Sequence, residues 1–119
     1  MVKIITDTTS VLPQEIVERY NISILPQIIH FGEDTFLEGV DLDIETFMAR
    51  LETSPKLPKT AAPPPQVFSE VFQDIVPTGE PILCIHPSEE VSGTVRAATV
   101  AAQDFPEAEL PHFWVPLYT

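Results

Sequence analysis

Three short polar clusters hold the residues of this sequence that could grip or transform a ligand: Asp7-Thr8-Thr9-Ser10, Lys59-Thr60 and Ser92-Gly93-Thr94. Hydroxyls combined with backbone N–H groups can hold a carboxylate or a phosphate without a paired arginine, and Gly93 removes the side chain that would block close approach. The third cluster has the most pointed context. Apolar Ile82-Leu83-Cys84-Ile85 reads as a strand that runs through His86-Pro87-Ser88 and meets an alanine-rich helix at Ser92-Gly93-Thr94. A helix start exposes N–H groups that have no intrahelical partner, and its aligned peptide dipoles place about half a positive charge there, which favours an anionic head group. Taken singly, Ser92 is a helix cap and Thr8 and Thr9 are turn residues. The functional reading rests on all three clusters meeting at one edge of a sheet.

Other chemistry weighs less. Cys84 lies inside the apolar run and reads as a buried structural thiol. His30, His86 and His112 are too widely spaced for a metal-ligand pattern, so no metal is expected. His86 lies near the anion loop and, with Asp7, Thr8 and Thr9, would support it from behind. Ser92 as a hydrolase nucleophile would need a base and an orienting acid; His86 and Asp7 complete the one trio the sequence offers, without a nucleophile-elbow motif. Glu89-Glu90 reads as a solvated loop, Asp41 as a turn residue and Asp43 as a cap.

The elements that must position these clusters alternate. Val2 to Thr6 is rich in β-branched residues and predicts a strand, with the first cluster as its polar turn. Pro13 suits a helix start, and Ile16, Val17 and Tyr20 give one apolar face before Asn21. Ile22 to Leu25 and Gln27 to Phe31 read as strands parted by Pro26. Gly32-Glu33-Asp34 turns the chain into Thr35-Phe36-Leu37 as a hairpin. Asp43 caps the next helix, with Leu42 and Phe47 at staple positions and Ile44, Phe47, Met48 and Leu51 forming a face expected in the core. Five prolines between Thr53 and Gln66 predict a stiff extended loop around Lys59-Thr60. Phe68, Val71, Phe72 and Ile75 form a further helical stripe ended by Pro77 and Gly79. The alternation predicts an α/β fold with a mainly parallel sheet, helices on both faces and a small β-hairpin, its binding loops at the strand C-terminal ends. Leu110 to Thr119 is apolar enough for a strand, but its two prolines admit only an edge position or a chain that continues beyond it.

Composition narrows the function classes. The 119 residues carry 18 acidic against 6 basic side chains, a formal charge of −12, which opposes phosphate backbones and anionic membrane surfaces. Nucleic acid is not an expected partner. No apolar run approaches the roughly 20 residues needed to cross a bilayer, and one cysteine with no signal-peptide pattern makes the cytoplasm the default compartment.

The ordered set of motifs resembles the DegV family of bacterial fatty-acid-binding proteins. The residues that carry the resemblance are Thr6-Asp7-Thr8-Thr9-Ser10 with Leu12-Pro13, Phe31-Gly32 followed by Gly39-Val40-Asp41, and the helix around Phe47. Lys59-Thr60 with Pro63, and Ile85-His86 leading to Ser92-Gly93-Thr94, Ala97 and Ala98, complete it. The resemblance implies a two-domain carrier that buries an acyl chain and presents its carboxylate near the domain junction, some members handing it to a fatty acid kinase. It implies that Thr60 and Ser92 bind the carboxylate, with Gly93 and Thr94 beside them, that the bound ligand is a long-chain fatty acid and that no cofactor is needed. Two departures stand out. Ala61 and Ala62 replace the serine and glutamine usual in the family, and residues 1–119 correspond to the N-terminal α/β domain without the C-terminal domain. Three functions follow: a non-enzymatic lipid carrier, preferred here; a small enzyme acting on an acyl or phosphorylated substrate through Ser92-Gly93-Thr94; and a truncated fragment that only self-associates through an uncovered apolar face.

Overall fold

In the computed structural model, residues 2–106 and the backbone of residues 112–115 are described. Strand β1 (Lys3–Asp7) ends in a single 3-10 turn (Thr8–Ser10) and is followed by α1 (Gln14–Tyr20), β2 (Ser23–Leu25), β3 (Ile28–Phe31) and β4 (Asp34–Leu37). Then come α2 (Ile44–Thr53), β5 (Lys59–Ala61), α3 (Pro65–Ile75), β6 (Ile82–Pro87), α4 (Thr94–Ala102) and β7 (His112–Val115). β1 lies between β2 and β6, parallel to both, and β7 joins parallel to β6 in the order β2-β1-β6-β7. The expected mainly parallel sheet is therefore present, and the apolar tail supplies an edge strand; Leu110, Pro111 and residues 116–119 lie outside the described residues.

The register Ile5↔Cys84 and Lys3↔Ile82 puts Ile5, Ile82 and Cys84 on one face of the sheet. α3 and α4 cover that face with Phe68, Phe72, Ile75, Ala97, Ala98 and Ala101, so the main core is a sheet-helix layer. Phe68 and Phe72 are completely buried, each contributing roughly 1.5–3 kcal/mol of apolar transfer. Cys84 is equally buried, and burial pushes its thiol up to about 12, which makes it inert at neutral pH as expected. Leu83 and Ile85, on the opposite face, are only half-buried.

The hairpin forms where Gly32, at φ +61°, supplies the left-handed turn between β3 and β4. It belongs to a separate sheet. The structure departs from the expected all-loop segment at Lys59–Ala61, which pairs antiparallel with β3 as Ile29↔Thr60 to give the order β4-β3-β5. The prolines impose an extended backbone, and β3 offers its free edge. A second correction concerns α2. Asp43 caps it as expected, its carboxylate accepting the Thr46 N–H at 2.8 Å, yet no residue of the helix is buried. Ile44 is 77% exposed and Met48 48% exposed, because Ile29, Phe31 and Leu42 form a small second core that only Phe47 reaches from this helix. No helix among the described residues is long and apolar enough to cross a membrane.

Candidate functional site

The two sheets meet where their loops converge, and the three polar clusters converge with them. Thr9, from the turn after β1, Thr60, on β5, and Ser92, before α4, line one cleft of about 290 Å3 together with Gln27, Glu38, Pro87 and Val91. Thr60 therefore faces Ser92 across a seam between the antiparallel sheet and the parallel one. Lys59, adjacent on β5, does not line the cleft; successive strand residues point to opposite sides.

The Ser92 hydroxyl is oriented by a buried relay. Gln27 donates its side-chain N–H to Thr94 Oγ1 at 3.0 Å, and Thr94 Oγ1 lies 2.8 Å from Ser92 Oγ. Thr94 is completely buried, and among the described residues Ser92 Oγ is the acceptor within reach of its hydroxyl proton. A buried hydroxyl proton without an acceptor is costly, so Thr94 donates to Ser92 and the Ser92 proton is left for the cleft. The N-cap of α4 is Gly93, not Ser92 as the sequence suggests; Ser92, one residue earlier, accepts the Thr94 N–H at 3.3 Å. Gly93 takes an ordinary φ of −78°, and a Cβ built on it would meet Ala62 Cβ at 3.8 Å, so neither the backbone conformation nor the packing requires glycine there.

Beneath Thr9 sits a buried pair. His86 Nδ1 is 2.6 Å from Asp7 Oδ2, while Asp7 Oδ1 accepts the Thr9 N–H at 2.9 Å and also the Thr9 hydroxyl proton. Burial pushes the Asp7 carboxyl up, but the hydrogen bonds from His86 and Thr9 more than offset it and hold the group below its ordinary value of 3.8. The pair anchors the first turn from behind, whereas the sequence reading places Asp7, Thr9 and His86 behind the Ser92 loop. It does not extend to Ser92: among the described residues His86 Nε2 is buried without a partner, the ring packs edge-on to Phe68 at 5.3 Å, and the Ser92 hydroxyl is engaged with Thr94. The Ser92-His86-Asp7 trio is thus not hydrogen-bonded as a catalytic relay.

Thr8 points elsewhere, donating to Glu38 Oε2 at 2.6 Å and accepting the Gln27 N–H at 3.0 Å. Glu38 and Thr8 also line a neighbouring apolar cavity of about 340 Å3, walled by Ile29, Leu42, Ile44, Phe47 and Met48. The exposed face of α2 is one wall of this cavity. Gln27 enters the sequence reading only as the start of a strand and Glu38 not at all, because they lie in the β2–β3 and β4–α2 links and form no motif. The one available signal was their position beside Pro26 and Gly39, which mark turns.

Comparison with known proteins places the chain in a family. Residues 1–113 match the family described as "Uncharacterised protein, DegV family". The chain is similar to a DegV domain-containing protein of Clostridium perfringens, 39% identical over 100 residues that are 84% of this chain and 36% of that protein. In structure it is similar to a fatty acid (stearic acid)-binding protein of Eubacterium ventriosum, with a TM-score of 0.85, 29% identity and coverage of 95% of this chain and 41% of the other. A fatty-acid-binding DegV family protein of Thermus thermophilus gives a TM-score of 0.79 at 28% identity, over 97% of this chain and 40% of that one. The chain thus spans well under half the length of the relatives it matches. Over that span, sequence motifs, fold and comparisons agree: the chain belongs to the DegV family.

Proposed function

We propose that this protein binds a long-chain fatty acid non-enzymatically, holding the carboxyl group at Thr60 and Ser92 and the first methylenes over the α2 cavity. The observation that carries the reading is the shared cleft: hydroxyls from β5 of one sheet and from the loops that follow β1 and β6 of the other converge on about 290 Å3 of space, and Glu38 joins that space to the apolar cavity beside it. The similar proteins of Eubacterium ventriosum and Thermus thermophilus, described as fatty-acid-binding, support it. Each buried methylene contributes about 0.8 kcal/mol, against about 1 kcal/mol for a neutral hydrogen bond, so the tail supplies affinity and the hydroxyls supply orientation. Gly93 and Thr94 support the site, the first by leaving room and the second through the relay to Ser92. On this reading residues 1–119 are the N-terminal domain of a two-domain carrier, acting in the cytoplasm and offering the carboxylate to a fatty acid kinase.

Native mass spectrometry of gently purified protein tests the proposal. A co-purified acyl chain, or a mass gain on adding stearic acid, is expected. Thr60→Ala combined with Ser92→Ala should weaken binding about tenfold or more with the circular dichroism spectrum unchanged. A clean apo mass that gains nothing from stearic acid overturns the proposal, and binding unchanged in the double variant removes both residues from the site.

A further inference from the structure

The cleft that would receive a carboxylate contains a carboxylate of its own and no cation. Among the described residues its lining has hydroxyls at Thr9, Thr60 and Ser92, the Gln27 amide and Glu38, but no lysine, arginine or histidine. Two of these donors are already engaged: the Thr9 hydroxyl on Asp7, and one of the two Gln27 side-chain N–H groups on Thr94. Thr60 and Ser92, with only the second N–H of the buried Gln27 amide beside them, are left to face an anion. Glu38 is half-buried, one of its oxygens held by the Thr8 hydroxyl. The charged groups around it reinforce its sign. Asp41, in the same link, accepts the Leu37 N–H at 2.9 Å; Asp43, at the start of α2, lines the apolar cavity with Glu38; and Asp7 lies behind Thr9 with its charge shared with His86. Lys59, on β5, is exposed and outside the lining.

Two ionised carboxylates confined to one small cleft repel strongly, and the usual resolution is that one of them keeps a proton. We infer that Glu38 makes the cleft selective for a head group that brings a proton, a neutral carboxylic acid rather than its anion. This rests on the fatty-acid reading above. The acid's carbonyl oxygen accepts from Ser92 and Thr60, its O–H donates to Glu38, and one proton is taken up from solvent when the ligand arrives as the anion. Glu38 is then a specificity-determining residue: it penalises anions, including phosphate, and admits neutral donors such as alcohols.

The test is calorimetry of the protein with dodecanoic acid, below its micelle concentration, in two buffers of different ionisation enthalpy between pH 6 and 8. Dodecan-1-ol serves as a neutral comparison. Uptake close to one proton per ligand is expected, with Kd for the acid rising about tenfold per pH unit and Kd for the alcohol flat. Glu38→Gln should abolish the uptake, flatten the acid's profile and tighten it above pH 7. Binding of the acid without proton uptake, or an unchanged pH slope in Glu38→Gln, overturns this inference while leaving the fatty-acid reading standing. Binding of neither probe overturns both.

Discussion

Asp7 shows how one side chain can serve fold and site together. Its carboxylate is fully buried, ends β1, holds the Thr9 turn and pairs with His86 on the adjacent parallel strand. Because the folded protein holds its pKa below 3.8, the unfolded chain binds the proton more readily. The resulting stabilisation is complete above about pH 3.8 and is lost as pH falls through the lower folded value. His86→Ala leaves Asp7 Oδ2 buried without its donor while Oδ1 keeps Thr9, and a loss of about 1–3 kcal/mol in urea unfolding at pH 7 is expected. Asp7→Asn should lose less and should flatten the decline in stability between pH 4 and pH 2; an acid limb identical to that of the unaltered protein would show that Asp7 contributes nothing there. Cys84, two residues before His86 on the same face, has no comparable role: its thiol is pushed to about 12 by burial alone.

At the level of elements, the turn from β6 into α4 separates what the fold needs from what the ligand needs. Gly93 has a backbone conformation any residue adopts, and a Cβ there would make only an ordinary contact with Ala62 Cβ at 3.8 Å. Gly93→Ala should therefore shift stability by about 1 kcal/mol or less, the cost of a poorer cap, while weakening fatty-acid binding several-fold if the ligand approaches that backbone. Unchanged affinity in a tryptophan-fluorescence titration would move the ligand away from Gly93. Much of this level was legible beforehand. The hairpin at Gly32, the Asp43 cap, the β6-to-α4 turn and the three hydroxyl clusters all carry local chemistry that sequence displays. β5 was not legible, since Lys59-Thr60-Ala61 between prolines has no apolar alternation and becomes a strand only because β3 presents an edge. The face of α2 was legible as apolar, but its period is the same whether it meets a core or an open cavity. Gln27 and Glu38 became site residues through tertiary convergence, which no local pattern encodes.

At the scale of the whole molecule, the described residues form two unequal cores. Ten buried residues lie between the parallel sheet and α3 and α4, whereas Ile29, Phe31 and Leu42 alone form the buried part of the second cluster. Opening free energy follows buried apolar contact, so amide exchange should be slowest in β1 and β6 and faster by at least tenfold in β4 and α2. Uniform protection across both sheets, measured by hydrogen exchange, would contradict this division. The charge of −12 acts over the entire surface and disfavours every anionic partner, a background against which Glu38 makes a local selection.

The position of Thr60 and Ser92 on opposite sides of the seam has a mechanical consequence. Thr60 lies on β5 of one sheet and Ser92 follows β6 of the other, and the two hydrogen-bond ladders share no rung, so a molecule grasped by both hydroxyls becomes a tie between two units able to breathe independently. At a hundredfold excess over Kd it would add about 2.7 kcal/mol to whichever opening releases it. The smaller core, opening first, would gain most, and an occupied carrier would melt as a more cooperative body than an empty one. Under the proposed function, a bound fatty acid would complete the folding unit that holds it.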